Sequence, residues 1–458
     1  MNKNEELMRN GSVWKAIFTM AIPSVVIVLV MIFYNIADMF FIGQLGDAKL
    51  VASISVVGPL FSIVAAVAMM LGNGGCSLIS AAFGAKDYKR GKNISSLCFW
   101  TAVFGGVIIS ALLILFSTPM LHFLGANEEL FASSKQYYIG LSIGAPFMML
   151  SNMLSLILKS EGAVKESFMG NIIGTVLNLI LDPIFIMSFK MGVTGAALAS
   201  VLGNFAATIY YIYYVNKKSN ILSLDIHYAM KKPVIILSVI SLGLPNAIGS
   251  LLSGFAGTFS NQLLGKHGTM SIAAMAAANK CTMITGMTMM GIVMGCQALI
   301  AFCYGAQDEA RLKEVMRKLT ILTVSASTIL GIICMMARRN IIQLFIQETS
   351  VLDLGVDFVS VLLLSCPIIG IGYIVTGYFQ GTNRPAQAIA ISILRQGAVL
   401  IVSLYVLEHF MGLNGIPIAY VVADVTSAVV ASVVYFACRK NVYSQGEFDA
   451  TNDLKEVC

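Results

Sequence analysis

Residues 16–42 read AIFTMAIPSVVIVLVMIFYNIADMFFI, a stretch whose only charged side chain is Asp38. A membrane-spanning helix needs about 20 consecutive apolar residues, so this segment is long enough to cross a bilayer. Over the whole chain of 458 residues, 57% are apolar and only 11% are charged, less than half of the roughly 25% usual in soluble domains. The composition therefore excludes a soluble globular, disordered or coiled-coil protein, and the unbroken apolar runs exclude a membrane β-barrel.

Further apolar runs follow along the rest of the chain. They lie near residues 51–82, 94–118, 137–158, 168–189, 195–215, 235–264, 271–303, 319–337, 355–379, 386–407 and 415–438. Together with residues 16–42, they predict an all-α integral membrane protein with twelve transmembrane helices. A polar stretch at residues 216–233 separates the first six predicted spans from the second six.

The basic residues are unevenly distributed between the two sides of the predicted spans. Of the 29 Lys and Arg residues, 21 fall on the side of the N-terminus, six on the opposite side, and two, Lys280 and Arg395, within spans. Because cytoplasmic loops carry an excess of Lys and Arg, both termini are predicted to be cytoplasmic. We expect a multi-pass protein of a bacterial-type inner cell membrane. This distribution also explains the net charge of +6 without a nucleic-acid partner.

The sequence contains an internal repeat. GAKDYKR at residues 84–90 returns as GAQDEAR at 305–311, Pro23 returns as Pro245, and MGVTGAALAS returns as MGLNGIPIAY. Six spans per repeat is an even number, so both repeats have the same orientation and are related by an axis along the membrane normal. This predicts two six-helix lobes that face a central cavity. We expect the lobes at residues 1–220 and 221–440 and a cytoplasmic tail at 441–458.

Charged residues inside the predicted spans are candidates for function. A charged side chain at the centre of a bilayer costs about 2.5–3.5 kcal/mol on insertion scales, so few are retained without a role. They are Asp38, Asp182, Lys280, Arg395 and Asp424. The two cations are explained equally well by a functional role, by reaching the interface along their stems, or by pairing with an acid such as Asp424.

The first repeat concentrates polar groups on three helix faces. They are Tyr34, Asn35 and Asp38 in the first span, Asn171, Asn178 and Asp182 in the fifth, and Ala196, Ser200 and Asn204 in the sixth. Residues at these helical spacings share a face, so carboxylates, an amide and a hydroxyl can converge there. Such oxygen atoms suit a monovalent cation or a shared proton. The alternative is a buried hydrogen-bond cluster that only fixes helix packing, and the GxxxG spacing of Gly170 and Gly174 also permits close packing.

The second repeat lacks most of these polar groups. Asp38 corresponds to Ser260, Asn178 to Gly397 or Ala398, Asp182 to Ile401 or Val402, and Ser200 to Tyr420, whereas Asn204 corresponds to Asp424. Groups needed only for packing would be expected in both repeats. The asymmetry therefore favours an ion site in the first repeat.

These motifs resemble those of the multidrug and toxic compound extrusion (MATE) family, in its DinF-like branch, from Val13 to about Arg439. The resemblance rests on Pro23 followed by Asp38, the two GAKDYKR-like loops, NLILDPIFI at residues 178–186, and MGVTGAALAS. It implies a V-shaped pair of six-helix lobes. It also implies export of organic cations in exchange for Na⁺ or H⁺.

The resemblance further implies roles for individual residues. The residues that would hold the coupling ion are Asp38, Asn178, Asp182, the Ala196 carbonyl group and Ser200. Ser200 stands where the family commonly has threonine, so the hydroxyl group is kept. Pro23 would allow the first helix to bend, because it lacks an N–H group. Candidates for the substrate cavity or for a charge network are Tyr34, Asn35, Asn204, Lys280, Arg395 and Asp424.

Other function classes find less support in the sequence. No GxxxxGK[ST] loop is present, so we expect a secondary transporter that ATP does not drive directly. An intramembrane enzyme would need a paired acidic motif, and only the isolated Asp353 and Asp357 are suitably spaced, so we expect no enzyme. A flippase for lipid-linked precursors on the same general fold is the main alternative. We expect no cofactor and no metal beyond the coupling ion Na⁺ or H⁺. The expected partners are cationic amphiphilic small molecules and the lipid bilayer, and the expected state is a monomer.

Overall fold

The computed structural model of the protein describes residues 3–43, 48–124, 128–343 and 349–439, and these residues are almost entirely helical. The helices are α1 (Lys3–Arg9), α2 (Val13–Gly43), α3 (Ala48–Gly84), α4 (Tyr88–Leu115), α5 (Ser117–Phe123), α6 (Glu128–Lys159), α7 (Val164–Pro183), α8 (Gly192–Lys218), α9 (Ile226–Ala229), α10 (Ile235–Lys266), α11 (Thr269–Gly305), α12 (Glu309–Gln343), α13 (Thr349–Leu362), α14 (Cys366–Gly381), α15 (Pro385–Ile393), α16 (Val399–Met411) and α17 (Gly415–Cys438). No strand occurs within these ranges. The all-α prediction is therefore confirmed.

The number of membrane crossings follows from the lengths of the helices. By length and hydropathy, 11 stretches of the described chain can cross a membrane, and the last of them, Pro385–Cys438, has 54 residues. A helix of that length would extend about 80 Å, far more than the roughly 30 Å of a bilayer core. The stretch is interrupted by a 3₁₀ turn at Gly412–Asn414, so it contains two crossings. The twelve predicted spans are thereby confirmed.

Several helices begin earlier than the apolar runs of the sequence. Helix α4 starts at Tyr88 and α12 at Glu309, well before the runs at 94 and 319. In both repeats an aspartate precedes the helix: Asp87 Oδ1 accepts a hydrogen bond from the Arg90 N–H at 3.0 Å, and Asp308 Oδ1 does the same from Arg311 at 2.9 Å. These caps satisfy free backbone donors in the first turn, so polar residues extend the helix beyond its membrane segment.

The short helix α1 was not predicted, because its sequence is polar and too short to span a membrane. Its C-terminal end is held by Arg311, whose guanidinium group donates to the carbonyl oxygens of Met8 at 2.7 Å, Gly11 at 2.8 Å and Leu7 at 3.1 Å. A cation at these positions satisfies carbonyl groups that lack helical partners. The arginine of GAQDEAR therefore fixes the N-terminal segment.

The backbone of the two repeats carries the same turns. Positive φ angles recur at residues 220 or 221 positions apart: Lys86 (62°) with Gln307 (57°), Gly162 (76°) with Asn383 (58°), and Gly192 (55°) with Gly412 (61°). These angles lie in the left-handed region, which most residues avoid. The repeat therefore extends from sequence motifs to turn conformation.

The chain divides into two compact units. The first comprises Met1–Glu5 and Val26–Gly243, and the second comprises Glu6–Val25 and Leu244–Cys458. The units follow the repeat except at α2 and α10, whose first residues belong to the opposite unit. Both transitions lie within two residues of Pro23 or Pro245, where the missing N–H removes a helical hydrogen bond. The predicted lobes at 1–220 and 221–440 differ from these units by the two helix segments and by the 216–233 linker.

Within the first unit, α6 lies at the centre. It packs against α3, α4 and α8, and α7 packs along α8. The span Leu130–Lys159 is the most buried of that unit. Helices α6, α7 and α8 therefore form the framework for the polar groups of the first repeat.

Candidate functional site

Helices α7 and α8 approach each other at two glycines. A Cβ atom on Gly203 would lie 2.6 Å from the carbonyl oxygen of Gly174, and one on Gly174 would lie 2.9 Å from the carbonyl oxygen of Gly203. One turn earlier on α7, Gly170 faces the ring of Tyr211. Small residues allow helix backbones this close inside a membrane. The GxxxG spacing of α7 thus brings its polar face against α8.

This contact places Asn178 beside Ser200. The Asn178 side chain is 2% exposed, and its Nδ2 donates a hydrogen bond to Ser200 Oγ at 3.3 Å. Its Oδ1 is buried and has no hydrogen-bond partner among the described residues. Asp182, one turn farther along α7, and Ala196, one turn before Ser200 on α8, are fully buried. A buried amide oxygen without a donor is costly, so this arrangement is suited to binding a cation or a water molecule.

The backbone next to Asp182 is irregular. Pro183 lacks an N–H group, so the carbonyl oxygen of Leu179 loses its helical donor. A π-helical turn, Ile184–Ser188, follows immediately, and such turns often occur at functional sites. The start of α8 packs tightly here, since a Cβ atom on Gly195 would lie 2.9 Å from the Phe185 carbonyl carbon. Asp182 therefore lies where α7 departs from regular helical geometry.

Asn204 connects the site to α6. Its Nδ2 donates to the Ser200 carbonyl oxygen at 2.9 Å, and its Oδ1 accepts from Ser151 Oγ at 2.6 Å. Asn171, on the same stripe of α7 as Asn178, takes part in a separate network instead. Its Nδ2 contacts Ser155 Oγ at 2.7 Å and Tyr211 Oη at 2.9 Å.

Three candidates on α2 lie outside the residues whose side chains are described. They are Tyr34, Asn35 and Asp38. Pro23 lies inside α2. In the second repeat, the counterparts of Asp38 and Ser200 are Ser260 and Tyr420, and their hydroxyl groups lie side by side.

The second unit contains a buried ion pair. Arg395 Nε donates to Asp424 Oδ1 at 3.3 Å, and the two side chains are 12% and 17% exposed. The guanidinium group also lies over the ring of Tyr373, 4.2 Å from its centroid. Lys280 is exposed on α11, and within the described ranges no ion pair to it is found. The sequence left open which cation pairs with Asp424, and the structure shows that it is Arg395.

Sequence reasoning missed Gly203 and Tyr373. Gly203 has no motif of its own, and only its contact with Gly174 on another helix reveals its role. Tyr373 is one of 16 tyrosines and carries no distinguishing pattern. Both residues act through partners distant in the chain, so local spacing contains no signal for them.

We expect Gly203→Ala to destabilise the protein by about 1–3 kcal/mol, the usual cost of overpacking, because the new Cβ would meet the Gly174 carbonyl oxygen. Thermal unfolding of the purified protein in detergent measures this. Gly254→Ala is the matched control, since no described atom lies within 4 Å of its Cβ position and alanine favours a helix. Equal melting temperatures for the two variants would contradict the close contact.

Comparison with known proteins places the chain among relatives of one kind. The MatE family model matches it twice, over residues 23–184 and 245–406, which are the two repeats. The multidrug export protein MepA of Staphylococcus saprophyticus is 29% identical over 439 residues, covering 95% of this chain and 97% of MepA. MepA of Staphylococcus aureus strain N315 is also 29% identical, over 443 residues, covering 95% of this chain and 97% of that protein.

Solved structures share the fold. The crystal structure of MATE in the straight conformation superposes with a TM-score of 0.91 at 22% identity, covering 97% of this chain and 100% of the other. A MOP superfamily transporter from Pyrococcus furiosus superposes with a TM-score of 0.90, also at 22% identity, covering 96% and 99%. The helical architecture is therefore the one seen in these structures.

Proposed function

This chain belongs to the MatE family, and from that membership we propose that it is a secondary transporter that exports organic cations in exchange for Na⁺ or H⁺. The observation that carries the proposal is the buried set of Asn178, Asp182 and Ser200, which only the first repeat possesses. A binding site in one of two similar halves suits coupling better than a symmetric pore does. The names of the curated relatives, multidrug export proteins, support the substrate class.

The chemistry of the first repeat fits a small cation. The Asp182 carboxylate supplies charge, and the Asn178 Oδ1 atom and Ser200 hydroxyl supply neutral oxygen ligands, the kind that hard cations prefer. The Ala196 carbonyl oxygen has a second lone pair beyond its helical hydrogen bond, so it is available as well. A proton on the carboxylate satisfies the same site, because burial favours the neutral form.

Asp38 completes this proposed site. Its counterpart Ser260 lies beside Tyr420, the counterpart of Ser200. The two repeats share their turns and their family match, so we propose that Asp38 approaches Ser200 in the same way. Two carboxylates would then share one cation or one proton.

The proposed mechanism is alternating access. Ion binding at Asp38 and Asp182 shifts α2, which can bend at Pro23, and this shift disfavours retention of the exported cation. Such coupling requires that the ion bind one state more tightly than the other. The distribution of Lys and Arg supports cytoplasmic termini in the cell membrane, and we propose a monomer as the working unit.

Expression in cells that lack their own efflux pumps tests the export function. We expect the wild-type protein to lower the accumulation of a fluorescent organic cation and Asp38→Asn to accumulate it as empty cells do. Asp353→Asn is the matched control, because Asp353 is an exposed acid paired with Arg339 at 3.2 Å. Accumulation unaffected by the wild-type protein would contradict cation export and would make lipid-linked precursors the next substrates to test.

A further inference from the structure

The first unit buries a second carboxylate far along the chain from Asp182. Glu161 lies in the loop between α6 and α7, at the membrane side predicted to be cytoplasmic, and is 3% exposed. Its Oε2 accepts a hydrogen bond from Ser219 Oγ at 2.7 Å, and the Tyr214 hydroxyl lies beside the same carboxylate. Burial raises the pKa of Glu161 to about 7, while these two hydrogen bonds oppose the rise. Glu161 therefore titrates near neutral pH.

Buried polar groups lie between Asp182 and Glu161 along α6, α7 and α8. They form three hydrogen-bonded sets: Asn178, Ser200, Asn204 and Ser151; then Ser155, Ser167, Asn171 and Tyr211; then Glu166, Tyr210, Tyr214, Glu161 and Ser219. We call this series the polar file. It remains inside one compact unit throughout.

The gaps between the sets are short. Ser151 and Ser155 are four residues apart on α6, and Tyr211 and Tyr214 are three apart on α8. At 1.5 Å per residue these steps are about 4.5–6 Å. One water molecule with two hydrogen bonds of about 2.8 Å spans such a distance. Hydroxyl groups and single waters can therefore connect the two carboxylates.

The second repeat shows that the turn at Glu161 does not need a carboxylate. Gly162 and Asn383 are equivalent positions with φ angles of 76° and 58°, so Thr382 occupies the place of Glu161. The same backbone hydrogen bond closes both turns, from Ala163 N to Leu158 O at 3.2 Å and from Arg384 N to Phe379 O at 2.8 Å. A neutral threonine suffices there, so the buried acid of the first repeat calls for another explanation.

We propose that Glu161 is the group that accepts protons leaving the coupling site and passes them to the cytoplasm. This rests on the proposed function and selects H⁺ as the ion that uses the route. A proton leaves the Asp182 carboxyl group, moves through hydroxyl groups and waters of the polar file, and binds the Glu161 carboxylate. Glu161 then releases it to cytoplasmic water, so only O–H bonds form and break. Titratable groups near this carboxylate are Tyr214, with Tyr210 and Glu166 beside Tyr214, and Lys159 of the preceding helix, which acts on Cys76.

The test uses the full-length protein in liposomes, with a fluorescent organic cation and a pH-sensitive dye, at a constant pH difference. We expect the wild-type rate to rise as the pH at the cytoplasmic face passes about 7, where Glu161 becomes charged and able to accept a proton. Glu161→Gln should lose at least about tenfold of the proton-driven rate and all of this pH dependence. Glu161→Asp should retain most of the rate, and affinity for the organic cation should stay unchanged in both.

Two further variants separate this role from a structural one. Ser219→Ala removes a hydrogen bond that favours the charged carboxylate, so it should move the midpoint of the pH profile upward, and it decides the matter if Glu161→Gln does not fold. Glu309→Gln, an exposed acid at the same membrane side that pairs with Lys313, is the control and should behave as wild type.

The outcomes that overturn the proposal are distinct. Wild-type rate and pH dependence in Glu161→Gln, or an unmoved midpoint in Ser219→Ala, would exclude Glu161 as the acceptor. Wild-type transport driven by Na⁺ and not by a pH gradient would exclude the proton route while leaving ion-coupled export intact. Absence of wild-type transport under both gradients would instead overturn the proposed function together with this inference.

Discussion

Asp182→Asn should abolish ion-coupled export while the protein still folds. Asparagine has nearly the same size as aspartate, so the packing of α7 against α8 is retained, but the buried charge that would attract Na⁺ or H⁺ is lost. We expect the gradient-driven rate to fall by about 100-fold, which is within the usual range of coupling free energies of 1–3 kcal/mol. The measurement is uptake of a fluorescent organic cation into proteoliposomes.

The control for this variant is Asp225→Asn. Asp225 is a half-exposed acid in the linker that contacts only its neighbour His227 among the described ion pairs, so its loss should leave the rate unchanged. Fluorescence anisotropy of the bound cation should show that Asp182→Asn still binds substrate. A wild-type rate in Asp182→Asn would show that the buried carboxylate is structural and would refute the ion site.

Arg395→Met should destabilise the protein by about 3–5 kcal/mol, the usual cost of leaving one buried charge without its partner. The Asp424 carboxylate would lose the guanidinium group at 3.3 Å, in surroundings that leave it only 17% exposed. The double variant Arg395→Met with Asp424→Leu removes both charges, so it should be more stable than either single variant. Denaturant unfolding in detergent measures the free energies.

Lys280→Met provides the comparison for this cluster. Lys280 is exposed and has no described ion pair, so its removal should change stability by less than about 0.5 kcal/mol. If the double variant were as unstable as the sum of the two single variants, Arg395 and Asp424 would not be coupled. If it were stable but inactive, the pair would take part in transport.

The sequence predicted most of the fold because membrane spans are decided locally. Twelve apolar runs and two GAKDYKR-like loops are visible without any knowledge of contacts. The helix starts at Tyr88 and Glu309 were less visible, because a capping aspartate extends each helix into polar residues. The exchange of helix segments at Val25 and Gly243 was invisible, since it depends on packing between distant parts of the chain.

The candidate site was predictable in part for the same reason. The stripe with Asn178 and Asp182 follows from helical spacing, and the structure places Asn178 beside Ser200. The roles of these residues in ion binding remain predictions. Glu161 was not singled out, because a glutamate in a loop has the same appearance in sequence as a solvated one. Only its burial and its contact with Ser219 distinguish it.

Uptake of a fluorescent organic cation into proteoliposomes, driven separately by a Na⁺ gradient and by a pH gradient, tests the central claim most directly. We predict transport by the wild-type protein under at least one gradient, and none under either gradient by a variant that lacks both Asp38 and Asp182. Transport that persists in that double variant, or wild-type protein that moves the cation under neither gradient, would contradict ion-coupled export.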